Sequence, residues 1–237
     1  MNFALNNTNH YLDQLKAHTH DQQIIHMAEE LLADARTHGE LIPLQIKVTR
    51  AQKKYLPTLQ KIIMVAYNGR YGNQDEQTAN FGETGSGDHI ATYMATHTDD
   101  HGHELILGTL RLVRDQLELF DFFTLLPGKK WRCQQEKLTP YEFERLAFHP
   151  AVDVIHDLQL RQYIVRQIIH TALASLDPQT SWVACTMNDK VARFIADAGI
   201  HVELITDATL ADNQQIQYLK SHWPNYFTNV HAYEVHR

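Results

Sequence analysis

Residues 141–149 read Tyr-Glu-Phe-Glu-Arg-Leu-Ala-Phe-His, and the reading of this stretch decides the fold. Its side chains alternate as those of a strand do: Tyr141, Phe143 and Arg145 fall on one face, Glu142, Glu144 and Leu146 on the other. The aromatic and apolar residues call for deep burial, yet three charges sit among them. A central strand carries such charges only where they are paired, wetted or turned toward a cleft. An edge strand with one solvated face accommodates the same residues. The segments on either side tip the balance toward the centre of a sheet.

Downstream, residues 158–176 space their apolar side chains as a long helix, stopped by Asp177-Pro178. Residues 181–186 form a short buried strand. Asn188-Asp189 cap a helix over 190–198, which Gly199 ends. A strand over 200–205, a polar helix near 210–220 and a last strand near 230–235 complete the chain. Upstream, residues 90–96 and 105–113 make an antiparallel hairpin around a polar tip running from His97 to His103. A solvated tip accounts for those histidines and aspartates, so no metal site is expected.

Residues 117–126 are apolar and aromatic and close at Pro127-Gly128. The basic run Lys129-Lys130-Trp131-Arg132 follows, read either as a solvated loop or as a docking surface for an acidic partner. Residues 44–48 look like a first strand, and 51–67 a helix whose regular part starts near Pro57. The glycine-rich segment 68–88 is a loop without a phosphate-loop ending, so its glycines signal mobility. Residues 1–43 form a helical N-terminal extension, closed by His38-Gly39, and residues 44–237 the main domain.

The chain has 237 residues, 43% apolar and 21% charged, which bounds an ordinary globular protein. No run approaches the length of a membrane span, and the N-terminus is unlike a signal peptide. A net charge of -7 argues against general nucleic-acid binding. Cys133 and Cys185 give neither a disulfide framework nor zinc spacing, which suits the cytoplasm.

The order Asn188…Gly199-Ile200 resembles the final helix and strand of the GNAT acyltransferase superfamily. Many of those enzymes place a tyrosine acid in that helix, where this chain has Phe194-Ile195. They also bind pyrophosphate with a glycine-rich loop, whereas residues 151–161 contain no glycine. Both departures weigh against ordinary coenzyme-A-dependent acetyl transfer. They are shared by one branch, the acyl-homoserine-lactone synthases with the related N-acyl amino acid synthases. Tyr141-Glu142-Phe143-Glu144-Arg145-Leu146-Ala147 is similar to that branch's Trp-Glu-x-x-Arg-Phe-Ala signature, and Gly108-Thr109-Leu110-Arg111-Leu112 to its Gly-x-x-Arg-Leu strand. Asp88, shortly before Tyr93, resembles an aspartate that contacts the amine substrate, and Arg70-Tyr71 an Arg–aromatic pair of the early helix.

The resemblance implies an α+β fold: a mixed, mostly antiparallel sheet with helices on both faces, splayed between the strand of residue 143 and that of residue 183. It also implies transfer of a fatty acyl group from a thioester to an amine. Such transfer needs a base for the ammonium, and Glu142 is the candidate; Arg145 completes the catalytic pair. Arg111 and Arg145 hold an acceptor carboxylate by bidentate pairing or else form internal ion pairs with Glu142 or Glu144. Asp88 is placed on the amine, and Asn188 is assigned to substrate binding. Phe143, Phe148 and Trp182, with Phe120, Phe122 and Phe123, line an acyl tunnel or are plain core. The missing pyrophosphate loop and the run Lys129, Lys130 and Arg132 point to an acyl carrier protein as donor. No tightly bound cofactor is expected, only an acyl thioester co-substrate, on carrier protein or coenzyme A. A coenzyme-A-dependent acetyltransferase and a catalytically silent thioester-binding protein remain the alternatives.

Overall fold

Among the described residues, seven strands form one sheet, with helices before and between them. The computed structural model describes residues 12, 13, 15, 16, 22–38, 46–71, 89–98, 101–114, 117–124, 126–150, 152, 158–222, 224–227 and 229–236. In chain order the elements are α1 (Gln22–His38), β1 (Lys47–Arg50), α2 (Leu56–Tyr71), β2 (Ile90–Thr98), β3 (Glu104–Arg114), α3 (Leu119–Phe122) and α4 (Leu126–Gln135). They continue with β4 (Thr139–Phe148), α5 (Leu158–Ala174), β5 (Ser181–Asn188), α6 (Asp189–Asp197), β6 (His201–Leu204), α7 (Gln214–His222), α8 (Pro224–Phe227) and β7 (Val230–His236). Asp88 and most of the segment 68–88 lie outside the described residues, as do the side chains of Arg70 and Tyr71.

The strand order is β1-β2-β3-β4-β5-β7-β6. Every neighbouring pair is antiparallel except β4 and β5, which run parallel with α5 as their crossover. The expected mixed, mostly antiparallel sheet is therefore present, with residues 141–148 at its centre. β3 is buried without a break from Leu105 to Val113, so both of its faces are covered. One core joins Leu59 and Ile62 of α2, Ile164 and Ile168 of α5, Ala192 of α6, and Ile24 and Ala28 of α1. A second, smaller cluster gathers Leu119, Leu126, Ile216 and Phe227 under α3, α4, α7 and α8. At Gly108 a Cβ would lie 3.1 Å from the Ala147 carbonyl oxygen and 3.3 Å from Ile164 Cγ2. Glycine there lets β4 and α5 close on β3.

Two irregularities shape the middle of the sheet. The β4/β5 ladder holds only from Thr139–Ser181 to Phe143–Cys185, although β4 continues to Phe148 and β5 to Asn188. The strands part after Phe143, which is the expected splay. On the other side of β4, Gly108 faces Phe148 and Thr109 faces Ala147, but Arg111 faces Glu144. One extra β4 residue sits opposite Leu110, a β-bulge, and Arg145 there adopts φ 53°. Continued without the bulge, the Gly108–Phe148 register would set Arg111 opposite Arg145. The bulge replaces a cation–cation pair with an ion pair, against a backbone cost of about 1–3 kcal/mol for a non-glycine residue at positive φ.

α6 follows its sequence signals. Asn188 caps it by accepting from the Val191 N–H at 3.0 Å, and Gly199 closes it at φ 87°. The basic run does not. Lys129, Lys130, Trp131 and Arg132 lie in α4 rather than in a loop, because Pro127 stands in the helix's first turn, where its missing N–H costs nothing. Among the described residues, no helix is long and apolar enough to cross a membrane.

Candidate active site

Where β4 and β5 part, a cavity of about 380 Å³ opens into the fork. Most of its wall is apolar: Phe143, Leu146 and Phe148 from β4, Met187 from β5, and Val191 and Phe194 from α6. Phe148 and Phe194 meet edge to face across it, with ring centroids 6.1 Å apart. Leu158, half exposed at the start of α5, and the cations Arg161 and Lys190 also line it. Glu118, Glu142, Glu144 and Arg145 form its acidic part.

Glu142 is 2% exposed, and its Oε2 accepts the Leu119 N–H at 3.0 Å. Burial pushes its carboxyl well above the usual range, and the neighbouring Glu144 adds to the shift. Glu144 is also raised by burial, against the pull of Arg145 and Arg111. Its Oε2 lies 3.5 Å from Arg111 Nη2, the cross-strand contact that the bulge creates. Arg145 reaches sideways to Glu118, at 3.3 Å from Oε1. Three carboxylates thus meet two guanidiniums, and a cluster short of one positive charge raises the proton affinity of its most buried acid. The Cys185 thiol, in the same wall, is held protonated by burial and by the nearby Glu142.

His149 follows β4 directly and is fully buried, which lowers its pKa from 6.5 to about 3. Between these values the unfolded chain binds a proton that the folded chain refuses, so this histidine's contribution is present above about pH 6.5 and is lost on acidification. Glu142 and Glu144 act in the opposite sense: their raised pKa values contribute stability below about pH 4.5 that is lost as pH rises. Replacing His149→Gln should therefore make stability less acid-sensitive, changing the slope by about 1.4 kcal/mol per pH unit between pH 6.5 and 4.5. Urea denaturation across that window measures it; an unchanged slope would show that His149 takes up a proton in the folded state.

The structure brings Glu142, Phe143, Arg145 and Phe148 together in the cavity wall. Arg111 does not line the cavity; it stands behind Glu144, which does. Of the proposed acyl-tunnel aromatics, Phe122 joins the wall. Trp182 instead stacks on Phe120 against the second core cluster, with centroids 6.0 Å apart, and Phe123 is core beside Leu210. Asn188 is occupied as the α6 cap. Lys129 binds Glu234 at 2.7 Å, Lys130 lies over the Phe120 ring, and Arg132 is exposed beside Trp131, itself 62% exposed. Sequence reasoning missed Glu118, Arg161, Lys190 and Met187. Only Lys190 carried a local signal, as a cation in the first turn of a well-capped helix.

No family model matches the chain, and no curated protein does. Solved structures that it resembles include an N-acyl amino acid synthase from uncultured soil microbes, FeeM, at 12% identity, covering 81% of this chain and 91% of that one, with a TM-score of 0.49. Another is the AHL synthase LasI, at 11% identity, covering 81% and 89%, with a TM-score of 0.41. A third is a GNAT-family acetyltransferase from Staphylococcus aureus, at 12% identity, covering 80% and 97%, with a TM-score of 0.42. In its strand order, its single parallel pair and the fork between β4 and β5, the chain resembles the GNAT acyltransferases.

Proposed function

We propose that the chain is a cytoplasmic N-acyltransferase moving a fatty acyl group from an acyl thioester, presented by an acyl carrier protein, to the amine of an amino acid or amino-acid-derived acceptor. The observation that carries this reading is the forked cavity, in which a largely apolar wall adjoins a buried carboxylate cluster. The apolar part beds an acyl chain. Beyond Phe143 the β4 backbone has no β5 ladder beside it, so a pantetheine arm can lie there as an added strand. Backbone N–H groups of the same stretch supply donors for the thioester oxygen.

Glu142 serves as the base. The acceptor ammonium gives it one proton, and the freed amine attacks the thioester carbon. The C–S bond breaks as the C–N bond forms. The departing thiolate takes the proton held by Glu142, and the second amine proton leaves to solvent. Glu142 thereby covers the acid role for which Ile195 and Phe194 have no proton.

Thiol release from a long-chain acyl carrier protein, followed with mass spectrometry of the products, tests the reading. An N-acylated amine is the expected product. Binding of acyl thioester without turnover would instead make the chain a silent binding protein, and transfer confined to acetyl-coenzyme A would make it an acetyltransferase. The donor's docking face is assigned to α4. Reversing Lys130 and Arg132 to Glu, with Lys129 left on Glu234, should weaken use of the carrier-protein donor about tenfold and remove its salt dependence. Acyl-pantetheine should be used as before; equal loss on both donors would place the effect in folding.

A further inference from the structure

The acidic end of the cavity also bears on the acceptor's chemical class, provided the acyltransferase reading holds. A guanidinium that recognises an incoming carboxylate must be available to it. Both central ones already face a carboxylate. Arg111 is 5% exposed and is screened from the cavity by Glu144, its partner at 3.5 Å. Arg145 already spends its Nη2 on Glu118.

We propose that the acceptor is a cationic amine with no free carboxylate, because Glu144 occupies on Arg111 the place that an acceptor carboxylate would take.

The charge count supports this class. Glu144 and Arg145 on its own strand, Glu118 from the turn before α3 and the neutral Cys185 thiol from β5 face Glu142; Arg111 from β3 faces Glu144, Arg145 and Glu118, and Tyr67 of α2 faces Arg111. Three carboxylates against two guanidiniums leave one negative charge, which a single ammonium balances. Passing its proton to Glu142 leaves the cluster neutral again, so the chemical step strands no buried charge. A zwitterionic amino acid would add a fourth carboxylate and restore the imbalance. Arg161 and Lys190, on the first turns of α5 and α6, line the same cavity but are not among the charges that act on Glu142 or Glu144.

The test compares matched acceptors, amino acid amides or methyl esters against the free amino acids with the same side chains, with long-chain acyl-pantetheine as donor. The masked acceptors should show a kcat/KM roughly a hundredfold higher in the wild-type protein, the scale of an unmatched charge brought into a buried polar site. Glu144→Ala opens Arg111 to the acceptor and should narrow that preference at least about tenfold by raising use of the free acids. Free acids used as well as their esters by the wild type would overturn the proposal while leaving an acyltransferase in place. So would a folded Glu144→Ala protein with unaltered preference. Acylation of neither class would overturn the acyltransferase reading, and this proposal with it. The wild-type comparison decides the matter alone if Glu144→Ala does not fold.

Discussion

Glu142→Gln should slow single turnover with a long-chain acyl donor by about two orders of magnitude, the scale of a positioned general base. The protein should stay folded. A glutamine carbonyl can still accept the Leu119 N–H that Glu142 holds at 3.0 Å, and it spares the interior the cost of a buried charge. The pH profile separates a base from a structural acid. Burial and Glu144 hold Glu142 above the ordinary carboxylate range, so below its folded pKa the residue carries a proton and cannot accept another. The wild-type kcat/KM should therefore climb with pH through a limb displaced upward from about 4.5, and the Gln variant should lack that limb. Unchanged single-turnover rates would make Glu142 a structural acid and put the base elsewhere.

Much of the site's frame was legible because it depends on local chemistry. Alternation set Glu142 and Glu144 on one face of a strand, the Asn188 side chain announced a cap, and Gly199 announced a stop. Each of these signals acts within a few residues of its cause. The bulge was not legible. Positive φ is usually marked by glycine or asparagine, but here Arg145 adopts it, so the alternation of residues 141–146 runs through the irregularity unbroken. What stabilises the bulge is Arg111, some thirty positions earlier, which meets Glu144 only once the strands are paired. Glu118 was invisible for the same reason: its partner Arg145 is distant in sequence. The α4 error was of another kind. Pro-Gly reads as a breaker when it follows an apolar run, yet Pro127 opens a helix, and the competing meaning of proline in a first turn prevailed.

The Arg111–Glu144 pair should prove costly to break and cheap to remove whole. Both side chains are buried, so Arg111→Met strands a carboxylate in an apolar setting and should cost about 3–5 kcal/mol near pH 8. The loss should shrink on acidification. Glu144 already titrates above its ordinary value of 4.5 because of burial, and without Arg111 it has less to hold its charge, so its folded pKa rises further. A raised folded pKa contributes stability at low pH that is lost as pH increases, so Arg111→Met should approach wild-type stability near pH 5 and fall away above it. Glu144→Leu added to Arg111→Met removes the stranded charge and should recover most of the loss, or exceed the wild type, since paired buried ions often do no better than apolar residues of similar volume. Denaturant midpoints for the four proteins at pH 5 and pH 8 complete the cycle. If Arg111→Met costs less than about 1 kcal/mol at pH 8, the pair is wetted in solution. A wetted Arg111 would be open to an acceptor carboxylate, and the cycle would then side with zwitterionic acceptors against masked ones.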